Sequence, residues 1–215
     1  MSKTLLITRP NHDYDTDYLY HWSEFVINEA KKHKFKVLDL KSGKANQKNF
    51  VSYVKNQFPN IVFLNGHGSD NCITGHDNEI ILAVGENDTL LKGMIVYARS
   101  CNCGKILGDE LTRNGTKAFI GYTYSFGFMR LNSYSTRPRL DPLARLCLEP
   151  SNIVPITLVK GHSILEAYNR SQEGMKKNLR RILSSSSSQE ERSVLPFLLA
   201  NFKGQVLIGD ITAKV

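Results

Sequence analysis

The most constraining feature of this sequence is an alternation of two hydrophobic periods. Short apolar runs of strand length recur at residues 3–8 (KTLLIT), 35–40 (FKVLDL), 61–65 (IVFLN), 94–98 (MIVYA) and 117–122 (KAFIGY). Between them the apolar residues fall at helical spacing: Leu19, Trp22, Val26 and Ala30, then Phe50, Val54 and Phe58. A third helix is predicted over about 104–114, stopped by the Asn114-Gly115 pair. Within the irregular stretch 66–93, EIILAV reads as a hairpin arm. The order β-α-β-α-β-β-α-β is that of an α/β protein with a helix-covered, mainly parallel sheet of about six strands.

The second half is less regular. SYSTRPRLDP reads as a surface loop and PLARLCL as one or two helical turns. A long helix starts at Ser163, where Ser163 and Glu166 fit a capping box, each satisfying a backbone donor at the helix start. Its apolar stripe is Leu165, Tyr168, Met175, Leu179 and Ile182. Residues 184–191 (SSSSSQEE) read as a flexible loop without core residues, the expected place for proteolytic nicking, and QVLIGD as a last strand. At 215 residues and 41% hydrophobic content, a single domain over 1–215 is expected.

Composition then narrows the class. The N-terminal apolar stretch is too short for a signal peptide and no run reaches membrane-spanning length. Four cysteines in such a chain read as reduced thiols, so a cytoplasmic protein is expected. The net charge of +8 is scattered apart from Lys176, Lys177, Arg180 and Arg181, and no nucleic-acid motif accompanies it. A solvated helix face accounts for that patch, so no nucleic-acid partner is expected; an acidic partner or substrate explains the charge equally well.

In open parallel sheets, reacting groups gather beyond the carboxyl ends of the strands. IVFLN runs into Gly66-His67-Gly68, and MIVYA into Arg99-Ser100-Cys101. If these strands are adjacent, His67 and Cys101 emerge at one edge. A thiol beside an imidazole is the minimum equipment for nucleophilic acyl transfer. The N–H groups of Gly68 and Cys101 are the candidate oxyanion donors, because a glycine lets a carbonyl oxygen approach closely.

An apolar strand ending in His-Gly, then a second ending in small-residue-Cys-x-x-Gly, resembles the caspase-like cysteine peptidases. That group takes in caspases, metacaspases, legumain, clostripain, gingipains, separase and the CHAT-domain proteases. The CHAT branch is the nearest match. RSCNCGKILGDELTRNGTKAFIGY resembles its Cys-containing turn, helix and strand, KGHSILEAYNRS its helix opening, and LPFLLANFKGQVLIGD its closing stretch. The resemblance covers about residues 61–210 and implies a caspase-like three-layer sandwich and an endopeptidase acting on protein or peptide substrates. By position it implies Cys101 as nucleophile and His67 as base, with Gly68 and Cys101 as backbone oxyanion donors. Cys103 departs from the pattern, standing where a Ser or Thr is usual. Metacaspases and clostripain, which cut after Arg or Lys, carry an aspartate two places before the nucleophile. Here that residue is Arg99, which implies a preference for Asp or Glu before the cut. The same resemblance makes Tyr122, Tyr124 and Phe126 candidate walls of the substrate pocket.

Other readings stay open beside this one. A catalytically silent interaction module with the same fold is one, and a regulatory protein partner fits either case. A zinc-stabilised nucleic-acid binder is another, with Cys101, Cys103, Cys72 and either His67 or His76 as ligands, although C-x-C is not the usual zinc spacing. No cofactor or metal is expected on the peptidase reading. Asp70 and Asp77 are candidates to orient His67. His12, His21 and His33 read as surface residues, and His162 as having no chemical role.

Overall fold

The computed structural model of the protein describes residues 3–215. Its chain order is β1 (Thr4–Arg9), α1 (Tyr14–Lys32), β2 (Lys36–Lys41), α2 (Gln47–Gln57), β3 (Ile61–Asn65), β4 (Cys72–Thr74), β5 (Ile80–Ala83), β6 (Ile95–Arg99), α3 (Leu107–Arg113) and β7 (Ala118–Tyr122). It continues with α4 (Pro142–Val159), α5 (Ile164–Ile182), α6 (Gln189–Ser193), α7 (Leu195–Gly204) and β8 (Gln205–Gly209). Six strands form one sheet in the order β2-β1-β3-β6-β7-β8, parallel throughout except for β8, which runs antiparallel to β7. β4 and β5 make a separate antiparallel hairpin.

The central strands β1, β3 and β6 are buried at every position and apolar in their middles because both of their faces are covered. Leu5, Ile7, Ile61, Phe63, Ile95 and Tyr97 pack on one side with α1, α4 and the start of α5. Leu6, Val62, Leu64, Val96 and Ala98 pack on the other with α2, α3 and the β4–β5 hairpin. Alternate residues of each strand thus feed two cores, giving the three-layer arrangement the alternation of periods predicts.

Two segments differ from their sequence expectation. PLARLCL opens an 18-residue helix, α4, rather than one or two turns. Pro150 and Pro155 lie inside it, and a proline removes a helical donor and strands the carbonyl four residues earlier. At Pro150 that carbonyl belongs to Leu146, and the Asn178 side chain of α5 donates to it at 2.8 Å. The helix therefore continues because a tertiary partner replaces the lost donor. The serine-rich stretch also holds local structure that its composition does not signal. Ser187 is buried, its hydroxyl donating to the Ile182 carbonyl at 2.6 Å. Ser188 and Glu191 form the capping box of α6, and Glu191 pairs with Arg181. The loop has polar anchors in place of apolar ones.

Candidate active site

The register of β3 and β6 brings the two strand exits together. Asn65 pairs with Arg99, and one residue further on the Ser100 hydroxyl donates to the Gly66 carbonyl at 3.0 Å, across the same offset of 34 positions. His67 and Cys101 follow at that offset, and both line one cleft of about 240 Å³ with Phe126, Phe128 and Phe197. Close approach of the two loops depends on glycine. A Cβ on Gly66 would lie 1.9 Å from the Thr74 carbonyl oxygen, and one on Gly68 would lie 2.9 Å from both the Cys101 carbonyl oxygen and Ser100 Cβ. Gly68→Ala is therefore expected to cost about 1–3 kcal/mol of stability by overpacking, read from the denaturant midpoint.

The N–H groups of Gly68 and Cys101 donate to no acceptor among the described residues. Beyond Cys101 the chain turns at Asn102 (φ 58°), whose N–H is held by the Tyr124 carbonyl at 3.1 Å. The Cys101 thiol is half-buried and donates to the Phe126 carbonyl at 3.6 Å. Burial pushes this thiol up, hydrogen bonds from Phe126 and Ser125 oppose that, and the nearby Asp15 carboxylate adds to the rise. No hydrogen bond joins it to His67. Cys103 is 0% exposed, donates to the Ser100 carbonyl at 3.4 Å, and is pushed up to about 12 by burial. It packs in the core as a small apolar residue.

The partner of His67 is a residue that sequence reasoning missed. Its Nε2 lies 2.6 Å from Asp13 Oδ2. Asp70 instead pairs with Lys105 at 3.2 Å, and Asp77 is exposed beside His76. Asp13 is the N-cap of α1, its Oδ1 accepting from the Thr16 N–H and hydroxyl, so a capping box fixes the carboxylate that meets the imidazole. Burial pushes the Asp13 carboxyl up, but the hydrogen bonds from His67 and Thr16 outweigh it and hold the pKa at about 2. The signal lay in topology. β1 neighbours β3, so the residues after β1 share the carboxyl edge with those after β3 and β6.

The structure also places the other candidate residues. Arg99 borders the cleft yet is 0% exposed. Nε donates to Asn65, Nη1 to Ser151 and Asn152, and Nη2 to the Leu19 carbonyl and Ser23. All five donors are taken by neutral acceptors, so none remains for a substrate carboxylate and the acid preference has no carrier. Burial lowers its pKa to about 10, which leaves it charged at neutral pH. Tyr122 is a core residue, its hydroxyl 3.0 Å from that of Tyr97, and Tyr124 is exposed and does not line the cleft. The aromatic wall consists of Phe126, Phe128 and Phe197. Among the described residues, no cysteine joins any group able to hold a metal, so the C-x-C zinc site is not assembled. His12 is not a surface residue, its side chain being 10% exposed.

No protein-family model and no curated protein match the chain. Solved structures do match. The Arg-specific cysteine proteinase gingipain R (RgpB) superposes with a TM-score of 0.61 at 12% identity, over 99% of this chain and 47% of that one. The complex of the Porphyromonas gingivalis RgpB pro- and mature domains gives 0.60 at 12% identity, over 99% and 48%. The chain spans about half the length of these structures. Its mostly parallel six-stranded sheet with helical layers is the caspase-like fold of the gingipains.

Proposed function

We propose that this chain is a cysteine endopeptidase that uses Cys101 as nucleophile and His67 as general base and acid, with Asp13 positioning His67. The observation that carries this reading is the convergence of three neighbouring strand exits. Those after β1, β3 and β6 deliver a carboxylate, an imidazole bonded to it at 2.6 Å, and a thiol in the imidazole's cleft.

The chemistry follows from which atoms are free. His67 Nε2 is committed to Asp13, so Nδ1 is the nitrogen left to exchange protons. On substrate binding the Sγ proton passes to Nδ1 and the sulfur bonds to the scissile carbonyl carbon. The carbonyl oxygen becomes an oxyanion facing the unused N–H groups of Gly68 and Cys101. The imidazolium, stabilised by Asp13, protonates the leaving amine as the C–N bond breaks. Water, deprotonated by the same nitrogen, then hydrolyses the thioester. The raised Cys101 thiol fits a mechanism in which the proton moves only once substrate is present.

The motif order supports reading the chain as nearest the CHAT branch within this fold, and its four free cysteines suit a reducing compartment. Among the described residues, no helix is long and apolar enough to cross a membrane. Protein or peptide substrates, with an apolar side chain against Phe126, Phe128 and Phe197, fit the cleft. The one observation favouring a silent scaffold is that the thiol bonds Phe126 rather than His67; catalytic hydrogen bonds commonly tighten only with substrate.

Asp13 allows its two roles to be separated. Asparagine caps helices as well as aspartate, so Asp13→Asn should leave the thermal midpoint within about 2 °C. It removes the charge that stabilises the imidazolium, and kcat/KM on a cleaved peptide should fall about 10²-fold. Asp13→Ala should lose both activity and about 1 kcal/mol of stability. Unchanged turnover in Asp13→Asn would remove Asp13 from the mechanism.

A further inference from the structure

We propose that His12, Asp13 and His67 form a binding site for a divalent transition metal of the zinc class. On the peptidase reading above, its occupancy switches the enzyme off by taking His67 as a ligand. Asp13 Oδ2 lies between two imidazole nitrogens, 2.6 Å from His67 Nε2 and 3.4 Å from His12 Nε2. One ligand atom from each of the three residues falls within 4.8 Å of the others. Two imidazoles and a carboxylate are a donor set that zinc accepts, with a fourth position left for water. Tetrahedral bonds of about 2.0 Å place ligand atoms about 3.3 Å apart. The His12–Asp13 pair already has that spacing. The His67–Asp13 pair needs only to open its hydrogen bond: the metal takes Nε2 while the ring proton shifts through solvent to Nδ1, which removes that nitrogen as a base.

A second observation points the same way. The catalytic reading gives His12 no task, yet its side chain is nine-tenths buried in the cluster. Its Nε2 meets Asn78 Oδ1 at 3.3 Å, and its Nδ1 is buried without a hydrogen-bond partner among the described residues. Thr16 holds Asp13 Oδ1, so the carboxylate presents Oδ2 from a fixed position. His67 and Asp13 remain 41% and 36% exposed, which gives an ion a way in. His12 also belongs to a neighbouring group with His76 and Asp77, but there the carboxylate is 81% exposed.

The test is a calorimetric titration of Zn²⁺ alone into chelator-treated protein. The wild type should bind one ion at this site. His12→Ala, His12→Gln and His67→Ala should each weaken it at least about tenfold. His12→Gln keeps a polar side chain of similar reach, which separates ligation from packing. Cys101→Ala and His76→Ala should change the affinity by less than about threefold. The second readout is the ratio of peptide cleavage with and without saturating zinc. At a zinc concentration about ten times the wild-type Kd it should fall about tenfold for the wild type and no more than about twofold for His12→Ala. Undiminished binding by both His12 variants overturns the site. Loss of binding in Cys101→Ala also overturns it, by placing the ion on the thiol, and loss in His76→Ala with none in His67→Ala does so by moving it to the neighbouring group. The titration decides the site even for a chain that cleaves nothing, so failure of the peptidase reading is told apart from failure of this one.

Discussion

Arg99→Met is expected to lower the unfolding free energy by about 3–5 kcal/mol, the largest stability loss from any single change proposed for this protein. The guanidinium ties four elements together at the end of β6. Leu19 and Ser23 belong to α1, Asn65 ends β3, and Ser151 and Asn152 belong to α4. It also lies 5.1 Å from the centre of the Phe63 ring. Methionine fills part of the volume but leaves the buried Asn65 Oδ1 and Asn152 Oδ1 without the donor that Arg99 supplies, each costing about 1–3 kcal/mol when unpaired, while the Leu19 carbonyl keeps the Ser23 hydroxyl at 2.6 Å. The sum is reduced because the charged group's own desolvation penalty vanishes. Arg99→Lys should not rescue, since an ammonium offers three donors from one point where five are needed from a planar fork. Equilibrium denaturation measures this directly, and a loss below about 1 kcal/mol in both variants would show that the network is not a major tie.

Arg99 also shows what the sequence could and could not reveal. Its place at the end of an apolar strand was legible, and its neighbourhood with the nucleophile follows from that. Whether its side chain faced substrate or core was not, because the acceptors come from α1 and α4, at 76 and 52 positions' separation for Ser23 and Ser151. The strands, the first three helices and the Ser163 capping box were readable because periodicity and caps are local signals. The length of α4 was not legible, because Pro150 and Pro155 interrupt the helical pattern and the compensating donor, Asn178, lies on another element. His67 and Cys101 stood out as chemistry-bearing residues at strand ends. Asp13 did not, because a cap in a polar stretch looks like local punctuation until β1 is known to sit beside β3.

Cys101→Ala and His67→Ala should each reduce peptide cleavage at least about 10³-fold while the fold persists, judged by an unshifted circular dichroism spectrum. The two act as a unit, so the double variant should be scarcely worse than either single one. Cys103→Ala is the internal control. Its thiol is buried, bonded to the Ser100 carbonyl, and pushed up to about 12 by burial, so it is neither accessible nor ionised at neutral pH. It should keep a substantial part of the activity, with a modest stability loss from the small cavity. An active Cys101→Ala beside a dead Cys103→Ala would reverse the assignment of the nucleophile.

The peptidase chemistry proposed for this site depends on Cys101, assisted by His67, attacking a peptide carbonyl. Its most direct test is intact-protein mass spectrometry after brief exposure to a mixed peptidyl chloromethyl ketone library, varied at the residue next to the reactive carbon. A nucleophile that has to be activated in place displaces chloride, forming one stable S–CH₂ bond per chain. The account predicts a single adduct that maps to Cys101, is lost in Cys101→Ala, is strongly slowed in His67→Ala, and disappears when the protein is unfolded before exposure. An adduct on Cys72, equal labelling in His67→Ala, or no adduct at all with the folded wild type would contradict it.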